Sequence, residues 1–267
     1  MNASAPIGVF DSGVGGLSVL RDIRAALPHE DLIYVADSGH VPYGNKTPDY
    51  IRERSRTLTQ FLIERGAKAI VIACNTATAA AAAMLRSTFD LPIVGMEPAV
   101  KPAVAATRTG VIGVLATVGM LQSARYAALL ERFVQGVDVV TVPCPGLADQ
   151  VELGDLDGPV TRDMIQRFTA PLLARNADTI VLGCTHYPFL RPLIADVVGP
   201  DVALIDTGAA VARRLQQVLA EHDLLNQATT SARETFWTSG DAALAERVIE
   251  ILWGRAVRVD QLPEGVR

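Results

Sequence analysis

The sequence is poor in cysteine and lysine and has no long apolar run. Three cysteines, Cys74, Cys144 and Cys184, in 267 residues are too few for a disulfide framework. None belongs to a Cys-x-x-Cys pair, so a zinc site of clustered thiolates is not expected. No group of His and carboxylates has ligand spacing, and no metal is expected. The longest apolar run, from Ala69 to Leu85, is interrupted by Asn75, Thr76 and Thr78. A membrane span needs about 18 apolar residues, so none is expected. The opening MNASAPIGVFDSG lacks the basic segment and apolar stretch of a secretory leader. Together these absences suggest a cytoplasmic protein with reduced thiols. Lys and Arg total 24 against 29 Asp and Glu, a net charge of −5, so a nucleic-acid partner is not expected. The lysines are Lys46, Lys68 and Lys101, and none stands in a Schiff-base context. There is no Walker A motif, and DSGVGG fails as a dinucleotide fingerprint because Ser18 takes the third glycine position. No cofactor is expected.

Apolar residues make up 49% of the chain and charged residues 20%, an ordinary globular balance that excludes global disorder. The length predicts one or two domains. Val- and Ile-rich strands are expected at Ile7–Phe10, Leu32–Val35, Ala69–Ala73, Pro92–Gly95, Val111–Leu115, Asp138–Val142, Thr179–Leu182 and Val202–Ile205. Helical spacing falls at Pro48–Arg65, Thr76–Ser87, Gly119–Phe133, Pro159–Arg175 and Ala209–His222. This alternation predicts an α/β fold with mostly parallel sheets buried on both faces. Residues 223–232 read as a loop. Strands at Glu234–Thr238 and Ala256–Val259 flank an expected helix at Asp241–Leu252.

The chain also repeats itself. IGVFDSGVGGLSVL begins at Ile7 and IGVLATVGMLQSA at Ile112, an offset of 105 residues. GAKAIVIACNTAT and NADTIVLGCTHYP place Cys74 and Cys184 at matching points, 110 residues apart. Two matched pairs in the same order predict two similar α/β domains related by a pseudo-twofold, with a shared cleft. The expected division is 1–97 plus 208–267 for the Cys74 domain and 98–207 for the Cys184 domain.

Ligands of open α/β sheets sit beyond the carboxyl ends of the strands. Asp11, Cys74, Thr117 and Cys184 all follow predicted strands there. A thiol near a helix start is expected to have its pKa lowered towards neutrality. One such thiol suggests a nucleophile. Two at equivalent positions suggest a base on one face of a carbon and an acid on the other, which is two-base racemisation. Asp11 is a candidate to assist Cys74 or to hold a substrate ammonium. His186 is a candidate to assist Cys184, and Glu152 in CPGLADQVELGD is a further acidic candidate. Asn75, Thr76 and Thr185 offer donors for a carboxylate. Cys144, followed by Pro145, reads as a core residue. Two other classes compete. A hydrolase using Cys184 and His186 leaves Cys74 without a role, and an amino-acid-binding protein predicts ligand stabilisation without α-proton exchange.

FDSGVGGLSVL, YVADSGHVPYGNK, VIACNTATA, GMEPAVKPA and LGCTHYPFL, in this order, resemble the glutamate racemases of bacterial cell-wall synthesis. The resemblance runs from Ile7 to about Thr207. It implies cofactor-independent interconversion of L- and D-glutamate, supplying the D-isomer to peptidoglycan. An aspartate racemase or other small-acid isomerase of the same superfamily is the alternative. The resemblance further implies that Cys74 exchanges the proton on the D-glutamate side and Cys184 on the L-side, assisted by Asp11, Glu152 and His186. It assigns substrate contact to Asp11-Ser12, Tyr43-Gly44, Asn75-Thr76, Thr117 and Thr185-His186. It also implies two α/β domains with the site between them, and a homodimer. Met120 stands where family members often carry a second threonine, so affinity or selectivity is expected to differ. An N-terminal extension linked to control by a cell-wall precursor is not expected, because the DSGVGG motif begins at Asp11.

Overall fold

The computed structural model describes residues 2–228 and 232–267. The first strands are short and buried on both faces, as β-branched runs between helices require. They are β1 (Ile7–Asp11), followed by α1 (Leu17–Ala26), and β2 (Leu32–Ala36), followed by α2 (Pro48–Glu64). Then come β3 (Ala69–Ile72), α3 (Asn75–Thr88), β4 (Ile93–Val94) and α4 (Val100–Ala106). Helix α2 starts where Thr47 accepts a hydrogen bond from the Tyr50 amide and Pro48 takes the first turn. Helix α3 is rich in alanine, the strongest helix former, and buries Ala77, Ala81, Ala82 and Leu85.

A second series follows. It contains β5 (Val111–Ala116), α5 (Val118–Leu121), α6 (Ala124–Phe133), β6 (Asp138–Pro143), α7 (Leu147–Glu152) and α8 (Pro159–Ala174). It ends with β7 (Thr179–Leu182), α9 (Arg191–Val198) and β8 (Ala203–Ile205). The chain closes with α10 (Gly208–Glu221), β9 (Glu234–Thr238), α11 (Ala242–Trp253) and β10 (Val259–Gln261).

The strands form two parallel sheets, ordered β10-β9-β2-β1-β3-β4 and β6-β5-β7-β8. Replacing β1 to β4 by β5 to β8 turns the β2-β1-β3-β4 order of one sheet into the order of the other. The sequence repeat is therefore a repeat of topology. The last two strands extend the first sheet beyond β2, and α10 packs against α1. The largest apolar cluster runs through both series, joining Leu17 and Leu20 to Leu147, Val151, Leu190 and Leu215. No described helix is long and apolar enough to cross a membrane.

The structure differs from the sequence reading in several places. The single helix expected over Gly119–Phe133 is two, because Ser123 leaves helical geometry and its hydroxyl caps α6 at the Tyr126 amide. The last strand lies at Val259–Gln261 rather than Ala256–Val259. Gly254 ends α11 in the left-handed region, and the next residues carry the chain back to pair beside Phe236. Of the expected loop, residues 224–228 have no regular structure, and 229–231 lie outside the described residues.

Candidate active site

The carboxyl ends of β1, β3, β5 and β7 face one another across a small cavity. Ser12, Cys74, Thr117 and Cys184 reach it from these four strand ends. Tyr43 and Gly44 close one side, and Asn75, Thr76, Thr185 and His186 complete the polar lining. Free space inside is about 10 Å³, about enough for one water molecule. Its rim is closed by contact between the two series. Thr76 and Thr117 hydroxyls lie 3.0 Å apart, and an added Cβ at Gly44 would stand 2.8 Å from the Thr117 Cβ.

The two cysteines are held differently. Cys74 is the N-cap of α3, and its Sγ accepts the Ala77 amide at 3.4 Å. Its thiol lies 3.8 Å from the Ser12 hydroxyl. Burial, and next the charge of Asp11, push the Cys74 thiol well above its ordinary value. The downward shift expected of a thiol at a helix start is not found, because desolvation outweighs the single amide donor. Cys184 is not followed directly by an α-helix. Pro188 lies in a 3-10 turn over Tyr187–Leu190, and the chain before it folds His186 back onto the thiol. His186 Nδ1 is 3.5 Å from Cys184 Sγ.

Behind each thiol stands a carboxylate, Asp11 buried and Glu152 half-buried, and neither lines the cavity. Asp11 Oδ1 accepts the amide and hydroxyl of Ser12, and Oδ2 accepts the Gly16 amide and the Thr185 hydroxyl. Burial raises its carboxyl, opposed chiefly by the charge of His186. With both oxygens committed, Asp11 does not present a carboxylate to the cavity for an ammonium group. Glu152 ends α7. Its Oε1 meets His186 Nε2 at 2.6 Å and accepts the Val14 amide at 2.7 Å, while Oε2 accepts the Ser38 hydroxyl at 3.1 Å. Burial alone would lower His186, but the Cys184 sulfur and Glu152 overcome it and hold the imidazole well above its ordinary value. Glu152, His186 and Cys184 thus form a chain able to move a proton at Sγ.

Three further positions were not singled out by the sequence as lining residues: Pro42, Ala148 and Gly183. Nor was the support of Tyr43. Its hydroxyl donates to Asp37 at 2.5 Å, and Arg54 grips the same carboxylate at 2.6 and 3.0 Å. The ADS stretch was visible, but its partner lies on α2, 17 residues on. The Asn75 carboxamide, by contrast, is buried with neither its nitrogen nor its oxygen partnered. Cys144 is also buried, its thiol pushed up to about 12 by burial.

Comparison with known proteins agrees with this arrangement. The family model for Asp/Glu/Hydantoin racemase matches residues 7–215. A glutamate racemase of Pseudomonas entomophila is 61% identical over 97% of this chain and 98% of its own length. The crystal structure of glutamate racemase isoform RacE1 from Bacillus anthracis matches with a TM-score of 0.88 and 33% identity, covering 100% of both chains. Glutamate racemase from Francisella tularensis, solved with D-glutamate, matches with a TM-score of 0.85 and 29% identity over 98% of each chain. The chain belongs to the Asp/Glu/Hydantoin racemase family, among its glutamate racemases.

Proposed function

We propose that this protein interconverts L- and D-glutamate by two-thiol proton transfer, without a cofactor, and so supplies D-glutamate for peptidoglycan. The observation that carries this reading is the presence of Cys74 and Cys184 in one cavity, at equivalent ends of topologically equivalent strands. L-Glutamate lies with its Cα–H towards Cys184. The Cys184 sulfur takes that proton, and the electron pair delocalises into the α-carboxylate to give a planar centre. Cys74 then delivers its own proton to the opposite face, which yields the D-isomer. The raised pKa of Cys74 suits this order, since the thiol waits protonated. In the reverse direction the Asp11 carboxylate, close enough for its charge to act on Cys74, assists loss of the proton from that thiol, and the His186–Glu152 pair returns a proton to Cys184. Asn75, Thr76, Thr117 and Thr185 supply donors for the carboxylates.

A cavity with room for one water admits no amino acid, so binding requires the two α/β units to part and close again. We place their boundary at 97/98 and 207/208, a division supported by the strand membership of the two sheets and the packing of α10 on α1. A homodimer and a cytoplasmic location complete the reading. Sedimentation of the purified protein tests the homodimer. The aspartate alternative is less well supported, since the 61% identical relative is a glutamate racemase.

The test is proton NMR of L-glutamate in D₂O with the purified protein and no additive, with circular dichroism followed in parallel. Loss of the α-proton signal with decay of optical activity to zero is expected. L-Aspartate, run alongside, keeps both. Unchanged L-glutamate would overturn the reading.

A further inference from the structure

Asn75 lines a second small cavity as well as the first. This one lies between α3, the segment at Met96, and α5 and α6, and Met120, Arg125, Tyr126 and Leu129 form much of its wall. Free space in it is again about 10 Å³, the room one water needs. Most of the wall is apolar, yet it holds buried polar groups without partners. They are both amide atoms of Asn75, the hydroxyl of Tyr126 and Nε of Arg125. Asn75 is 5% exposed and Tyr126 4%. The other groups there are committed. Arg125 pairs with Glu97 at 2.6 Å, and the Ser123 hydroxyl donates to the Met120 carbonyl while accepting the Tyr126 amide.

An unpartnered buried amide or hydroxyl is destabilising, because it has given up its bonds to water without replacement. A pocket of one-water size with two such groups in its wall is the setting in which an ordered water bridges them. Burial pushes the Tyr126 phenol up, so it stays neutral and able both to donate and to accept. Tyr126 stands on α6 and Asn75 on α3, so the link spans the two series.

We propose that Tyr126 is a positioning residue, fixing the Asn75 carboxamide for substrate through a single water bound between them. The proposal rests on Asn75 contacting glutamate, as in the function proposed above. It assigns Tyr126 no contact with the substrate. Because the bridge needs both α3 and α6, Asn75 is oriented only when the two units are closed, and glutamate meets a preorganised donor only then.

Tyr126→Phe removes the hydroxyl and keeps the ring. KM for both glutamate isomers is expected to rise about three- to ten-fold, the effect of one hydrogen bond. The value of kcat should stay within about two-fold, and the variant should still unfold cooperatively, with a midpoint lowered by no more than one lost hydrogen bond implies. In an Asn75→Ala background, Tyr126→Phe should leave KM unchanged, because the group it positions is gone. An unaltered KM in the single variant, or additive effects in the double variant, would overturn the proposal. A crystal structure of the substrate-free wild type gives a readout independent of catalysis. A water within hydrogen-bonding distance of Tyr126 Oη and the Asn75 carboxamide is expected, and is lost in Tyr126→Phe. No such water would refute the bridge even if glutamate proves not to be the substrate. Failure of the wild type on glutamate, with the water present, would count against the functional reading alone.

Discussion

Replacing Gly13 by alanine probes the Glu152–His186–Cys184 chain without replacing any of its members. An added Cβ would stand 1.9 Å from Glu152 Oε1 and 2.7 Å from its Cδ, whereas real Cβ contacts essentially never fall below 3.0 Å. Gly13 is not in the left-handed region, so alanine fits the backbone. The carboxylate ends a flexible side chain and gives way, by about 1 Å. That displacement breaks the bonds of Oε1 to His186 at 2.6 Å and to the Val14 amide at 2.7 Å. Hydrogen bonds to a charged group contribute about 1.5–3 kcal/mol each. With part regained through water, the expected destabilisation is about 2–4 kcal/mol, read as a lower urea midpoint. The pH dependence should change as well. His186 has a raised pKa in the folded state, so its stabilisation is fully present below its ordinary value and is lost as pH climbs through the raised one. The wild type should therefore lose stability above about pH 6.5. In Gly13→Ala this decline should be shallower, because Glu152 no longer holds the imidazolium. Racemisation should fall about 10²-fold or more, the contribution of a positioned proton-transfer group. A variant matching the wild type in midpoint, pH slope and rate would refute the reasoning.

Other expectations follow from single contacts. Lys68 and Glu30 are an ion pair in the core, with side chains 0% and 2% exposed, and Glu30 also accepts the Asn226 amide. Lys68→Met strands the carboxylate and should cost about 3–5 kcal/mol of stability in denaturant unfolding, with little effect on KM. Tyr43→Phe removes the donor to Asp37 and should cost about 1.5–3 kcal/mol while raising KM, since Tyr43 lines the cavity. With its thiol raised well above 9 by burial and the Asp11 charge, Cys74 should be alkylated slowly at neutral pH. Its alkylation should quicken steadily as pH rises through 9, and a fast reaction already level at pH 7 would contradict the assigned environment.

The fold was largely written in local pattern. Thr179–Leu182 and Glu234–Thr238 have the bounds read from sequence, because β-branched runs between polar turns have few alternatives. The repeat gave the topology, since each strand–turn–helix unit can be recognised before its partners are known. What escaped were features set by distant partners. The break at Ser123 depends on one hydroxyl capping α6, and the last strand is placed by its pairing with β9. The short helices α4, α7 and α9 have too few residues to show a period. At the site, type and position of the polar cavity residues were visible, but their commitments were not. Asp11 and Glu152 spend their oxygens on backbone amides and neighbouring side chains, and Cys74 is governed by burial, which no motif encodes. The carboxamide of Asn75 and the phenol of Tyr126 line one small cavity because α3 and α6, from different repeats, pack together.

The most direct test of the two-thiol account is the early time course of L-glutamate in D₂O, with L- and D-isomers separated and their α-hydrogen read by mass. If one thiol removes the proton and the other supplies the new one, D-glutamate formed first carries deuterium while the remaining L-glutamate keeps protium. Cys74→Ala and Cys184→Ala should each abolish conversion. D-Glutamate that retains the original proton, or an alanine variant racemising near the wild-type rate, would contradict it.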